Sequence, residues 1–370
     1  MRILYFSRDY TTHDHRFLSA LAKTEHKVFY LRLEKRGHTL EDRSLPPEIE
    51  QVHWKGGQRP AKFSQGLSLL ADLTRVIQRV QPDLVHAGPI QRAAFLVALS
   101  GFKPLVSMSW GYDLIQDAKR NSPWRWATRY TLQRSAALVG DSEIIRQLAI
   151  QYGMHPEHIV TFPWGVELER YNVATFERSN SQIFTLLSTR GWEPIYGVEV
   201  IARAFVRAAR QLKENHGPQL NLLMLGNGSQ AGMLRRIFQE GGVQEQVHMP
   251  GQIGQADLPR YYHMADLYLS ASHSDGASIS LLEALASGLP ALVSDIPGNR
   301  EWITPGETGW WFPDGDVPAL TQAILDAVAR RDQLPEMRRR ARWLAELRAD
   351  WNKNFLELDK AYQLALGNTK

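Results

Sequence analysis

Short apolar runs alternate with amphipathic helical segments along almost the whole chain, and this alternation restricts the fold to α/β architectures built on parallel sheets. Residues 3–6, 27–33, 84–86, 104–108, 137–139 and 159–162 read as strands. Between them, residues 16–23 read as a helix. Leu67, Leu70, Leu73, Ile77 and Val80 hold helical spacing until Pro82 stops it. Ser142 is placed to cap a helix that runs to Tyr152. Pro163, Trp164 and Gly165 then break the pattern, and the polar stretch 169–181 reads as an interdomain link. A second series follows, with strands at 183–187, 220–225, 266–270 and 291–294 and helices at 197–212, 230–240 and 278–287. After Asp316 the sequence is helical almost to its end, with Trp343, Trp351 and Leu356 as expected packing residues.

The expected architecture is two doubly wound Rossmann-like domains facing across a cleft, with ligands at the carboxyl ends of the strands. A chain of 370 residues fits two domains, each large enough to bury its own core. The expected division is 1–168 and 169–344, with a final helix from about Ala345 to 370 crossing back to brace the first domain.

Cysteine is absent, which excludes a disulfide scaffold, thiolate metal sites, iron–sulfur clusters and a cysteine nucleophile. The net charge of +4 comes without a long single-sign run and reads as a mixed solvated surface. No apolar run approaches the roughly 18 residues of a membrane span, so a soluble cytoplasmic protein is expected. None of the recognised nucleic-acid modules is present.

Chemistry concentrates in residues 272–290. A strand ends, a loop of small residues follows, and a helix begins near Ser278. The backbone N–H groups of Gly276, Ala277, Ser278 and Ile279 then face outward at the positive end of a helix dipole, a place suited to phosphate. Side chains lean back toward a helix N-terminus, so Glu283 points to the same mouth that Asp275 flanks. On spacing alone, a solvated helix glutamate and an ordinary loop aspartate remain the plainer reading.

Asp275 and Glu283, with seven residues between them, resemble the Glu-x7-Glu motif of the retaining glycosyltransferases of family 4, which have the GT-B fold. The resemblance continues through Thr189-Arg190, Gly226-Asn-Gly228 and Val247-His-Met-Pro-Gly251. It extends to Leu258-Pro-Arg-Tyr-Tyr-His-Met-Ala-Asp266, Gly288-Leu-Pro290, Asp295-Ile-Pro-Gly298 and Gly306-Glu-Thr-Gly309, and it includes Phe162-Pro-Trp-Gly-Val-Glu167 in the first half. It implies a metal-independent, retaining hexosyltransferase that moves a sugar from a nucleotide diphosphate sugar to a sugar, lipid-linked or small-molecule acceptor. No cofactor is expected. Glu283 is implied to hold the ribose hydroxyls and Asp275 to lie beside the donor sugar. The amides of Gly276, Ala277, Ser278 and Ile279 are implied to hold the diphosphate, and Arg190 to neutralise it as it departs. Gln252 and Ile253 match the segment beside the nucleobase. Domain closure is implied to bring Asp113 and Trp110 over the donor sugar. Cell-envelope polysaccharide or glycolipid synthesis, with peripheral contact at the inner face of the membrane, is the role implied at family level.

The chain departs from the family pattern in three places. Asp275 stands where glutamate is usual, Tyr196 where lysine is usual, and Trp110-Gly-Tyr-Asp113 replaces His-Gly-x-Asp. A phenol brings no charge to a phosphate, and an indole accepts no proton. The loop from Ser7 to Arg16 lacks the usual Gly-Gly turn, and His15 and Arg16 are expected on the acceptor side. His13 and His15 are also spaced to ligate a metal, although acceptor contact or a surface position is the simpler reading. Residues 119–126 mix basic and aromatic side chains, consistent with a solvated helix start or a membrane-touching patch. Two rival functions share these features: a non-catalytic nucleotide-sugar-binding subunit of a two-protein transferase, and a sugar-nucleotide epimerase.

Overall fold

The computed structural model describes residues 1–35, 41, 43–173 and 182–367. The chain forms two compact units, Met1–Phe162 with Phe355–Lys370, and Pro163–Asn354. The first is built on a sheet of order β3-β2-β1-β4-β5-β6-β7. Its strands are β1 (Arg2–Ser7), β2 (Lys27–Arg32), β3 (Glu50–Gln51), β4 (Leu84–Gly88), β5 (Leu105–Met108), β6 (Ala137–Gly140) and β7 (Ile159–Thr161). The second has the order β10-β9-β8-β11-β12-β13. Here the strands are β8 (Ile183–Ser188), β9 (Gln219–Leu225), β10 (Val247–Gly251), β11 (Leu267–Ser270), β12 (Ala291–Ser294) and β13 (Gly309–Phe312).

Strand pairing is parallel throughout both sheets. The central strands β4, β5, β11 and β12 are buried along their whole length, as a sheet covered on both faces requires. The covering helices carry the matching stripe. In Val198–Glu214, Val198, Ile201, Ala202, Phe205 and Ala209 are buried at three- and four-residue spacing. That helix starts at Gly197, whose φ is +59°, and a Cβ there would stand 2.0 Å from the Ala271 carbonyl oxygen. Only glycine allows the helix start to lie this close to the end of β11.

The first helix is Thr12–Leu21, beginning earlier than the periodicity predicts. A capping box fixes its start: the Asp14 N–H donates to Thr11 Oγ1, and the Thr11 N–H to Asp14 Oδ2 at 2.9 Å. His13, His15 and Arg16 therefore lie on a helix rather than in a loop. Ser142 occupies its predicted N-cap position, but its hydroxyl donates to Asp141 Oδ1 at 2.9 Å and caps nothing. The edge strands β3, β10 and β13 were missing from the sequence reading. Of the link expected at 169–181, residues 174–181 lie outside the described residues.

The chain leaves the second unit at Phe355, later than the Ala345 start expected for the crossing. The helix Leu334–Arg348 stays within that unit because Ala341 and Ala345 are core residues packed with Leu281, Leu285 and Trp302. The returning helix is Glu357–Gly367, whose Leu358, Ala361, Tyr362 and Ala365 are buried. Of the three packing residues expected in this region, Trp351 is buried, whereas Trp343 and Leu356 are 62% and 68% exposed. No helix among the described residues is long and apolar enough to cross a membrane.

Candidate active site

In the second unit, β11 leads through the loop after Ser270 into the helix Ile279–Ala286, with Ser278 at the N-cap. The first bond of the ladder runs from the Leu282 N–H to the Ser278 carbonyl, so the preceding amides have no partner within the helix. Arg190, just past the end of β8, reaches this helix start. Its Nη2 donates to Asp275 Oδ2 at 2.6 Å, and its Nη1 to the hydroxyls of Ser278 at 2.7 Å and Ser280 at 3.0 Å. Burial lowers the guanidinium's pKa, but Asp275 opposes that shift and leaves it above the ordinary arginine value. Burial likewise raises the Asp275 pKa above the usual carboxylate value, against the opposing pull of Arg190, the Gly276 N–H and the Ser278 hydroxyl. The Arg190 Nε–H is buried and makes no hydrogen bond among the described residues.

Glu283 lies on the same helix and is buried. Its Oε1 accepts from the Tyr171 hydroxyl at 2.8 Å and its Oε2 from the Tyr262 hydroxyl at 2.8 Å. Tyr262 OH also lies 3.1 Å from Thr189 Oγ1. The carboxylate is thus neither solvated nor an ordinary surface residue. Sequence reasoning missed both tyrosines as its partners. Tyr262 stands inside the quoted 258–266 segment, but Tyr171 meets Glu283 across 112 positions and leaves no local signal.

The Arg190 guanidinium carbon sits 4.3 Å from the Tyr196 ring centroid. The phenol in place of lysine therefore supports the arginine through its ring face. Gly276 and Ala277 are buried in the loop before the helix, and a Cβ on Gly298 would meet the Gly276 carbonyl oxygen at 2.3 Å. Gly298 thus allows the helix Pro297–Arg300 to lie against the loop that carries Asp275. Gln252 and Ile253 follow β10; Gln252 is exposed, and Ile253 packs against the cluster containing Leu187, Leu225 and Leu282.

Asp113, Trp110, His15 and Arg16 belong to the first unit. Asp113 is fully buried, accepting from Ser109 Oγ at 2.6 Å, the Leu114 N–H at 3.0 Å and the Ile90 N–H at 3.0 Å. Both carboxylate oxygens tie together the segments after β4 and β5. The Trp110 ring packs on His13 at 5.2 Å between centroids and on Phe17 at 6.2 Å. His13 is pushed down to about 4 by burial and by Arg16, so it is neutral near pH 7. His15 Nδ1 lies 2.8 Å from the Tyr10 hydroxyl and Nε2 3.3 Å from Ser19 Oγ. His13 and His15 thus face different partners, and among the described residues no group of three or more His, Asp or Glu is arranged to hold a metal ion.

Burial pushes the Asp113 carboxyl up to about 6, against the pull of its hydrogen bonds. The fold therefore binds this proton more tightly than the unfolded chain. The resulting stabilisation is complete below about pH 4 and disappears as the pH rises through about 6. Relative to Asp113→Asn, the wild type is expected to lose a few kcal/mol of stability across that window in thermal unfolding. Parallel pH profiles for the two proteins would contradict this.

Two family models match the chain. Residues 11–170 match the one described as Glycosyltransferase Family 4, and residues 202–344 the one described as Glycosyl transferases group 1. The chain is 27% identical over 173 residues to the GtfA subunit of the UDP-N-acetylglucosamine--peptide N-acetylglucosaminyltransferase of Streptococcus pneumoniae, covering 46% of this chain and 32% of the relative. It is 26% identical over 218 residues to the amylovoran biosynthesis glycosyltransferase AmsK of Erwinia amylovora, covering 57% and 51%. Against these two relatives the chain spans about a third and about a half of their length. The crystal structure of Anabaena Alr3699/HepE in complex with UDP matches with a TM-score of 0.76 at 16% identity, covering 98% of this chain and 100% of that one. The fold is therefore GT-B, two Rossmann-like α/β units. Within that class, the chain belongs to the group 1, family 4 glycosyltransferases.

Proposed function

We propose that this protein transfers a sugar, with retention of anomeric configuration, from a nucleoside diphosphate sugar to a hydroxyl-bearing acceptor. The observation that carries the reading is Arg190 fixed beside Asp275, Ser278 and Ser280 at the start of the Ile279–Ala286 helix. Cleavage of a glycosyl–diphosphate bond builds negative charge on the leaving group. A preorganised guanidinium and helix-start amides stabilise that charge without reorganising. In this reading the diphosphate takes over the Nη1 face now held by the two serine hydroxyls, while Asp275 keeps the guanidinium in place through Nη2. Glu283, oriented by its two tyrosines, accepts the ribose hydroxyls. The Streptococcus relative is named for transfer from UDP-N-acetylglucosamine, the Erwinia relative for amylovoran biosynthesis, and the Anabaena protein binds UDP. These support a nucleotide-sugar donor and a place in polysaccharide assembly.

Asp275→Asn tests the assignment of the sugar-side carboxylate. It is expected to cut transfer about 10²-fold or more while changing UDP affinity only a few-fold, because it removes a charge beside the reacting centre. Equal losses in both would move Asp275 into the nucleotide site, and unchanged turnover would end the assignment. Proton NMR of the product anomer reads the stereochemistry, and an inverted product contradicts retention.

A second reading, a nucleotide-sugar-binding subunit without turnover of its own, draws support from the occupied state of Arg190. Asp275 and the serines already use both terminal nitrogens. It predicts donor binding without transfer to any acceptor.

A further inference from the structure

In the first unit the sheet order reverses between β1 and β4, the neighbours from which the chain departs in opposite directions. In open α/β sheets, ligands bind beyond the carboxyl ends of the strands at this point. Arg8 directly follows β1, Arg92 lies in the Ile90–Ala94 turn after β4, and Tyr112 follows the next strand, β5. Arg8 is held by Glu34 at 2.5 Å. The Arg92 side chain makes no hydrogen bond or ion pair among the described residues, and its Nε is buried without a partner. Its guanidinium carbon lies 5.0 Å from the Trp124 ring centroid, and that of Arg120 lies 5.3 Å from the same ring. Burial and the nearby Arg8 both hold the Arg92 pKa below the ordinary arginine value. Asp117 is within electrostatic range of Arg8, Arg92 and Arg120 but forms an ion pair with none of them. The switch point therefore holds a half-buried guanidinium that no carboxylate among the described residues contacts directly, a state that a bound anion relieves.

We propose that Arg92, with Arg8 and Arg120, binds a phosphate group carried by the acceptor, either on a soluble phosphate ester or in a lipid headgroup. Forked donors drawn from separate segments suit a tetrahedral anion with several oxygens. The proposal rests on the glycosyltransferase reading for the word acceptor, while the anion site itself stands on the residues of the first unit.

The test uses the full chain at low ionic strength, saturated with UDP so that the helix start of the second unit is occupied. Calorimetric titration with inorganic phosphate is compared between wild type, Arg92→Gln and the exposed-residue variant Arg120→Gln. Vesicles of phosphatidylcholine doped with phosphatidylglycerol form the second arm. Phosphate affinity is expected to fall about ten-fold or more in Arg92→Gln and several-fold in Arg120→Gln, with UDP affinity unchanged. Arg92-dependent binding of free phosphate supports a soluble ester, and Arg92-dependent binding confined to vesicles supports a lipid headgroup. Binding of neither probe, or equal binding by wild type and both variants, overturns the proposal. A failure of UDP to bind would count against the donor reading and leave an Arg92-dependent phosphate site intact.

Discussion

Arg190→Ala is expected to lower transfer about 10²- to 10³-fold, the scale seen when one preorganised charge-stabilising donor is removed from an active site. The same substitution strands Asp275, whose side chain is only 20% exposed and which loses its 2.6 Å partner. Breaking a largely buried pair from one side costs on the order of 3 kcal/mol, so the melting temperature falls as well. The two effects separate in a double variant. Arg190→Ala with Asp275→Ala recovers much of the lost stability, because no unpaired charge remains, and recovers none of the transfer. Arg190→Lys keeps the charge but loses the fork that bridges Asp275 and Ser278, and falls between wild type and Arg190→Ala. Wild-type turnover in Arg190→Ala would remove Arg190 from the chemistry.

Glu283 carries the second large effect. Each charge-assisted hydrogen bond from a ribose hydroxyl is worth about 1.5–3 kcal/mol, so Glu283→Gln is expected to weaken nucleotide binding about 10- to 100-fold. The amide keeps the shape of the carboxylate, and Tyr171 and Tyr262 retain a polar partner. Glu283→Ala does more than remove the ribose contact. It opens a gap beside the Tyr171 and Tyr262 hydroxyls and removes their 2.8 Å acceptors, leaving them the longer contacts to Gln255, Thr189 and Ser280, at a cost of about 1–3 kcal/mol. The alanine variant therefore melts at a lower temperature than the glutamine variant, although the two lose comparable donor affinity. Calorimetry with the nucleoside diphosphate, alongside thermal unfolding, measures both. Undiminished affinity in Glu283→Gln would place the ribose elsewhere.

Much of the fold was legible because a parallel sheet covered on both faces needs apolar strands, and those strands stand out between amphipathic helices. The strands that escaped notice are edges. β3 has only Glu50 and Gln51, both exposed, and β10 alternates half-buried and exposed residues and contains Pro250, so neither forms an apolar run. The early start of the first helix rested on the Thr11 and Asp14 capping box, which lies outside the apolar periodicity. The candidate site was legible in its backbone part, because a loop of small residues entering an apolar helix marks a helix start. Its side-chain partners were not, since Tyr171, Tyr262 and Tyr268 reach Glu283 and Ser280 across the tertiary fold. The same limit applies to Asp113. Its sequence neighbours give no sign that Ile90 and Ser109 enclose its carboxylate.

The proposed function requires that the second unit hold a nucleoside diphosphate at the start of the Ile279–Ala286 helix. The most direct measurement is calorimetric titration of the wild-type chain with UDP, GDP, ADP and dTDP, each compared with its nucleoside monophosphate. Saturable binding of one diphosphate class is expected, tighter than the matching monophosphate by about ten-fold or more. Failure of all four to bind, or equal affinity for monophosphate and diphosphate, would contradict it.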